Sequence, residues 1–195
     1  MTKLKGILLT EGMHGMISQV EGLAKALNIE FIHQKIEINN FWKLIPPRFT
    51  PIKNFVFKNN IDKDFNIVIS CGRKSVIPSV YLKKKYKKKI INIHIQDPKI
   101  SLKNFDFIVA PEHDGLKGKN VLQSKGAIHY LRDYELDTNK DYLKPDIKKE
   151  KLVTLIVGGP NKYYNYDEKI IISIFNKIKE NFINKGYQLI FIPSM

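Results

Sequence analysis

Residues 5–38 read KGILLTEGMHGMISQVEGLAKALNIEFIHQKIEI. Ile7-Leu8-Leu9 is a short unbroken apolar run, the pattern of a strand buried on both faces. Thr10 to Gly15 is a loop holding two glycines. From Met16 to Leu27 the period changes: Ile17, Val20, Ala24 and Leu27 fall on one helical face. Ser18 and Glu21 stand at capping-box spacing. Ile29 to Ile38 returns to a strand pattern. Strand, loop, helix and strand in this order form a βαβ unit, which implies a parallel sheet and an α/β fold.

The same rhythm continues along the chain. Asn66 to Ser70 reads as a third strand and Lys74 to Tyr86 as a helix with Pro78 in its first turn. Ile90–Ile95 and Phe105–Ala110 read as further strands, and Val121-Leu122 as a short one. Phe41 to Pro51 holds Pro46, Pro47 and Pro51, so it reads as a broken connection. Residues 1–132 therefore form a Rossmann-like domain. Residues 133–151, DYELDTNKDYLKPDIKKEK, are polar and interrupted by Pro145, and read as a linker. A second Rossmann-like unit starts at residue 152: strand Leu152–Val157, turn Gly158-Gly159-Pro160-Asn161, a helix from Asp167 to Lys185, C-cap Gly186, and strand Tyr187–Ile192. Ile171, Ile174, Phe175, Ile178 and Phe182 are its expected buried stripe. Two strands and one helix do not close a core. The expectation is thus a second domain only begun within residues 152–195, whether by truncation or gene splitting, exchange-labile after Asp133 and inactive by itself.

Composition narrows the class. The chain has 195 residues, 43% of them hydrophobic, too many for a disordered protein. No apolar run approaches the roughly 20 residues a membrane helix needs, so no transmembrane segment is expected, with peripheral membrane contact left open. No signal peptide is read at the N-terminus, and the expected compartment is the cytoplasm. A single cysteine, Cys71, removes disulfides and cysteine-rich zinc sites. The net charge of +14 rests on 30 Lys and only 3 Arg, and Ile outnumbers Val 29 to 9. Lys, Ile and Asn share A/T-rich codons, and arginine, the bidentate reader of phosphate and guanine, is scarce. No nucleic-acid partner is expected. Lys83–Lys89 reads as a solvated helix end and loop.

In a parallel sheet, ligands sit at the carboxyl ends of the strands. Five loops there carry polar chemistry. Thr10–Gln19 brings Gly12 and Gly15 to a helix start, where exposed amides favour an anion; a plain tight turn explains the glycines equally well, and G-x-G-x-x-G is absent. Ser70-Cys71-Gly72-Arg73 delivers a small residue, a glycine and an arginine fork to another helix start; an arginine closing the sheet edge is the alternative. Cys71 is expected to be a buried, inert thiol. His94-Ile95-Gln96-Asp97-Pro98 puts His94 and Gln96 on one side of a strand. Pro111-Glu112-His113-Asp114 offers a His/Asp pair suited to proton transfer. The histidine and acid positions have no metal-ligand spacing, so no metal and no cofactor are expected. Gly158-Gly159-Pro160-Asn161 opens the helix of the second unit.

These stretches, with Gly22-Leu23-Ala24, Gly118-Lys119-Asn120-Val121 and Gly126-Ala127-Ile128-His129, resemble the mitochondrial fission ELM1-like family, in order and over nearly the whole chain. His-x-Gln-Asp-Pro followed by Pro-x-His-Asp is the most specific part. That family is named for a plant protein that helps recruit a dynamin-like GTPase to mitochondria, and its bacterial members look like GT-B glycosyltransferases. The resemblance implies two Rossmann-like domains facing a cleft and metal-independent transfer from a nucleotide sugar to an acceptor. It places Gly12, Gly15, Ser18, Gln19, Ser70, Gly72, Arg73, Gln96, Asp97, His113 and Asp114 on the ligand side of the first domain, with Asp97 and His113 as candidate bases. It places Gly158, Gly159 and Asn161 near the donor phosphates. The family pattern continues with a Ser-Arg-Arg-Thr-like loop where this chain stops at Ser194-Met195. The rival reading is a non-enzymatic recruitment protein with a protein partner on the same scaffold.

Overall fold

The structure, a computed structural model, describes residues 4–61, 64–159, 165 and 167–193. The chain divides into two compact units, Met1–Arg132 and Asp133–Met195.

Unit 1 is built from β1 (Lys5–Thr10), α1 (His14–Ala26), β2 (Glu30–Lys35), the single turn α2 (Asn40–Lys43), β3 (Ile67–Cys71), α3 (Val76–Tyr86), β4 (Ile91–Ile95), β5 (Phe107–Pro111) and β6 (Val121–Ser124). The six strands form one parallel sheet in the order β2-β1-β3-β4-β5-β6. It is the Rossmann-like α/β arrangement that the alternating strand and helix patterns require.

The period of two along each strand sorts side chains between two cores. Ile7, Leu9, Val68 and Ile108 face Val76 and Val80 of α3, together with Ile36, Val56 and Phe65 from the connection after β2. Leu8, Ile67, Ile69 and Ile93 face Val20 and Ala24 of α1. Each such side chain removed from water contributes roughly 1.5–3 kcal/mol. Asn92 interrupts the apolar run of β4 without cost, because its amide is satisfied. Its Nδ2 donates to Asn104 O at 3.0 Å, its Oδ1 accepts from Asp106 N at 3.0 Å, and its own N–H donates to Asp106 Oδ2 at 2.9 Å. The pair fixes where β5 begins.

Several boundaries differ from the sequence reading. Helix α1 starts at His14, so Ser18 is its fifth residue and no capping box forms with Glu21; Glu21 instead meets His33 Nε2 at 2.7 Å and Lys25 at 3.5 Å. Leu27 lies beyond the helix and is exposed. Gly22 is required by close approach: a Cβ there would stand 2.5 Å from His129 O, where residues 128–130 cross α1.

Unit 2 holds α4 (Asp133–Asn139), β7 (Leu152–Val157), α5 (Glu168–Asn181) and β8 (Gln188–Pro193), with β7 and β8 parallel. Asp167 caps α5 by accepting from Lys169 N at 2.8 Å. Residues 133–151 precede β7. They carry α4, and Gln188 of β8 ties their end down, accepting from Lys148 N at 2.6 Å and donating to Asp146 O at 2.8 Å. The expected buried stripe is not buried. Ile171, Ile174, Phe175 and Phe182 are all exposed, because two strands cover too little of the helix. Ile171, Ile174 and Phe175 border an open apolar cleft of about 640 Å³ with Leu155, Leu189 and Phe191.

Candidate functional site

The strand order reverses direction at β1 and β3: the chain leaves β1 toward β2 on one side, then returns to β3 on the other. The crevice outside the carboxyl ends of two such strands is the usual ligand position in open parallel sheets. The loops after β1, β3, β4 and β5 all lie along that edge. They place Gly12, Gly72, Arg73, Gln96, Asp97, His113 and Asp114 on it, with Gly15 in the first turn of α1. Gly12 and Gly15 are exposed, and nothing within 4 Å fills the space a Gly15 side chain would take.

The β3 loop is occupied by the protein itself. Gly72 adopts φ +90° and ψ 160°, a region almost confined to glycine, and a Cβ there would meet Met16 Sδ at 2.6 Å. The turn releases the amide of Lys74, and Glu11 takes it: Oε1 accepts from Lys74 N at 3.0 Å while Oε2 pairs with Lys74 Nζ at 2.7 Å. A carboxylate thus sits where the spacing Ser70–Arg73 suggested a ligand anion. Arg73 does not turn its fork to that point. Its Nη2 donates to Lys43 O at 3.3 Å and Ile45 O at 3.0 Å, tethering the connection after β2.

Ser70 is fully buried, and its hydroxyl contacts His94 Nδ1 at 2.9 Å and Ile93 O at 3.2 Å. It supports the edge from below and is not presented to a ligand. Gln19 is likewise buried, with Nε2 donating to Gly15 O at 3.2 Å. Ser18 is half-buried in the second turn of α1, away from the loop. Burial pushes the Cys71 thiol up to about 12, helped by the charge of Glu11, so it stays protonated and unreactive. Burial also drives His94 down to about 3, against the opposing pull of Asp97.

The β4 and β5 loops form the second polar group. Gln96 is a non-glycine residue at φ +82°, a conformation that persists only where the surroundings enforce it; its N–H donates to Val109 O at 2.8 Å. Asp97 accepts from Lys99 N at 2.8 Å and Lys99 Nζ at 2.6 Å. Partial burial would raise its pKa, but these bonds and the Lys99 charge hold the carboxyl below the usual range. That makes Asp97 a weak base and a good anchor. Lys99 is raised by Asp97 first and also feels Asp114. His113 is exposed, with Nε2 3.6 Å from Asp114 Oδ1. Among the described residues no cluster of three His, Cys, Asp or Glu could share a metal, and no helix is long and apolar enough to cross a membrane.

In unit 2, Gly158 and Gly159 follow β7 and are exposed, and Gly158 borders the apolar cleft. Asn161 lies outside the described residues.

The family model for mitochondrial fission ELM1 matches residues 14–195. The chain belongs to that family. It is also 26% identical over 220 residues to the uncharacterized protein RP120 of Rickettsia prowazekii, in an alignment covering 89% of this chain and 60% of RP120. The chain therefore spans less than two thirds of that relative. No solved structure matches it. Two features of this family member's edge escaped the sequence reading: the Glu11 cap and the strained Gln96. Glu11 stood next to Gly12 in the quoted motif, and its one available signal was an acid just before a helix start.

Proposed function

We propose that unit 1 of this ELM1-family protein binds an elongated polar ligand, of the nucleotide-sugar or sugar-acceptor class, along the carboxyl edge of its sheet. One observation carries the reading. Two polar groups flank the strand reversal on the same edge, Glu11–Gly15 after β1 and Gln96–Asp97 with His113–Asp114 after β4 and β5. From β1 to β5 is three strand spacings, roughly 14 Å at about 4.8 Å each. That matches a sugar joined to a nucleotide better than a small metabolite. In this reading the Gly12–Gly15 loop and the first amides of α1 take an anionic group. Gln96 and the Asp97–Lys99 pair orient hydroxyls, and His113 beside Asp114 accepts a proton from an acceptor hydroxyl. Transfer of a sugar from the nucleotide to that acceptor hydroxyl is the expected reaction.

Titration calorimetry with a panel of nucleoside diphosphates and their sugars tests it. Gly15→Asp is the informative variant, because its side chain enters open space and places a negative charge at the helix start. Binding of at least one panel member, weakened about tenfold or more by Gly15→Asp, is the expected result. A flat titration, or affinity indifferent to Gly15→Asp, overturns the reading. The open apolar cleft of unit 2 favours a second reading, a recruitment protein that binds a partner there; flat titrations with all nucleotides would leave that one standing.

A further inference from the structure

We propose that residues 40–55 of unit 1 form a docking surface for a bilayer bearing anionic lipid. The sequence FWKLIPPRFTPIKNF follows the buried Ile36 and Ile38 and precedes the buried Val56 and Phe57. Between those anchors four large apolar side chains point outward, while Trp42 and Ile52 pack partly on the core: Leu44 is 85% exposed, Phe41 68%, Phe49 65% and Phe55 55%. They are not scattered. Phe41 stands edge-on to Trp42 at 4.9 Å between ring centres, and Trp42 packs on Phe55 at 6.0 Å. An exposed apolar group of this size marks an interaction surface.

The surface is held in place and does not hang as a loose loop. Arg73 grips Lys43 O and Ile45 O from the sheet edge. The Thr50 hydroxyl donates to Pro46 O at 3.0 Å, and the Asn39 side chain donates to Phe55 O. Folding the aromatic side chains inward would break these ties.

The charges choose the occupant. From Ile38 to Ile61 there is no Asp or Glu, whereas Lys43, Arg48, Lys53 and Lys58 are interleaved with the apolar residues. Among the described residues, no ion pair engages Lys43, Arg48 or Lys53. Arg48 lies over the Phe49 ring at 4.6 Å. Aromatic rings beside unpaired cations suit the boundary between acyl chains and anionic headgroups, where the rings enter and the cations remain with phosphate. A purely apolar partner would leave those charges buried and unmatched.

Trp42 is the one tryptophan of the chain, so its fluorescence reports on this surface alone. The probe is vesicles of phosphatidylcholine with one quarter phosphatidylglycerol, against pure phosphatidylcholine. The expected result is co-sedimentation with the anionic vesicles only, a blue shift of Trp42, and its quenching by brominated acyl chains. The double variant Phe41→Ser/Phe49→Ser should lose about tenfold or more in vesicle affinity with its unfolding midpoint unchanged, since both side chains are exposed. Lys87→Ser/Lys88→Ser/Lys89→Ser changes the lysine run at the other end of α3 and should bind within about threefold of the parent. Three results overturn the proposal: no binding to anionic vesicles, binding without a Trp42 response, or a lysine-run variant that fails while the phenylalanine variant binds. Binding of an acidic protein in place of vesicles falls under the first.

Discussion

His94 gives the sharpest quantitative expectation. It is fully buried in β4, its Nδ1 bonded to the Ser70 hydroxyl at 2.9 Å and its ring 5.2 Å from that of Phe105. Burial lowers its pKa from 6.5 to about 3, so the folded protein keeps it neutral while the unfolded chain protonates it below pH 6.5. The stability this represents is fully present above pH 6.5 and is lost as pH falls toward 3. The slope is about 1.4 kcal/mol per pH unit. Between pH 7.5 and pH 5 the loss is about 2 kcal/mol, a substantial part of the 5–15 kcal/mol typical of a domain. In urea that is a midpoint shift of about 1 M, read from Trp42 fluorescence, which reports unit 1 only. His94→Leu keeps a similar volume and leaves Ser70 its bond to Ile93 O. At pH 7.5 it should cost about 1 kcal/mol for the lost hydrogen bond. Between pH 6.5 and 4.5 it should be the flatter of the two, so that the difference between the proteins changes sign. Groups that do not feel His94 cancel in that difference; Asp97, which does, is held below the usual carboxylate range and stays ionised between pH 6.5 and 4.5. Parallel losses in parent and variant across this range would refute the reasoning.

Two further outcomes follow from the edge loops. Glu11→Ala removes the carboxylate that holds Lys74 N and should cost about 1–2 kcal/mol, with faster amide exchange at Lys74; sulfate should then stabilise the variant more than the parent, and equal sulfate effects would count against the cap. Gly72→Ala should cost about 2–3 kcal/mol for a positive φ and for contact with Met16, and adding Met16→Ala should restore only the contact part; a denaturation midpoint equal to the parent's would show the turn to be adaptable.

The fold was legible because its signals are local and repeated. Ile7-Leu8-Leu9 and Ile67-Val68-Ile69 are unbroken apolar runs, Ile90–Ile95 carries four isoleucines in six residues, and α1 shows its helical face through Val20 and Ala24. The family was legible from polar strings at strand ends, above all His94–Pro98 and Pro111–Asp114. The individual roles at that edge were not. Ser70 and Arg73 read as ligand contacts because a sequence shows where a loop stands and not where a side chain turns. Ser70 points into the core toward His94, and Arg73 reaches back some 30 residues to two carbonyls. The Glu11 cap joins positions 63 apart, and no periodicity announces a bond of that span. Leu27 failed for a smaller reason: a helix that starts two residues early ends one residue early.

The sheet order has a consequence for how the chain acquires its fold. β1 lies between β2 and β3, and its partners differ greatly in distance along the chain. Lys5 pairs with Glu30, 25 positions on, whereas Gly6 pairs with Ile67, 61 positions on. The first pairing closes through one helix. The second must wait until the irregular stretch from Ile36 to Asn66 has compacted, and the entropy of that long closure is lost before the strand contacts compensate for it. Until then Leu8 and Leu9 present an unpaired apolar edge. High contact order slows folding and prolongs such exposure. Joining of β1 to β3 is thus the step at which this protein is most open to aggregation. Substitutions that loosen the compacted 36–66 segment should lower its yield of folded molecules more than they lower its final stability.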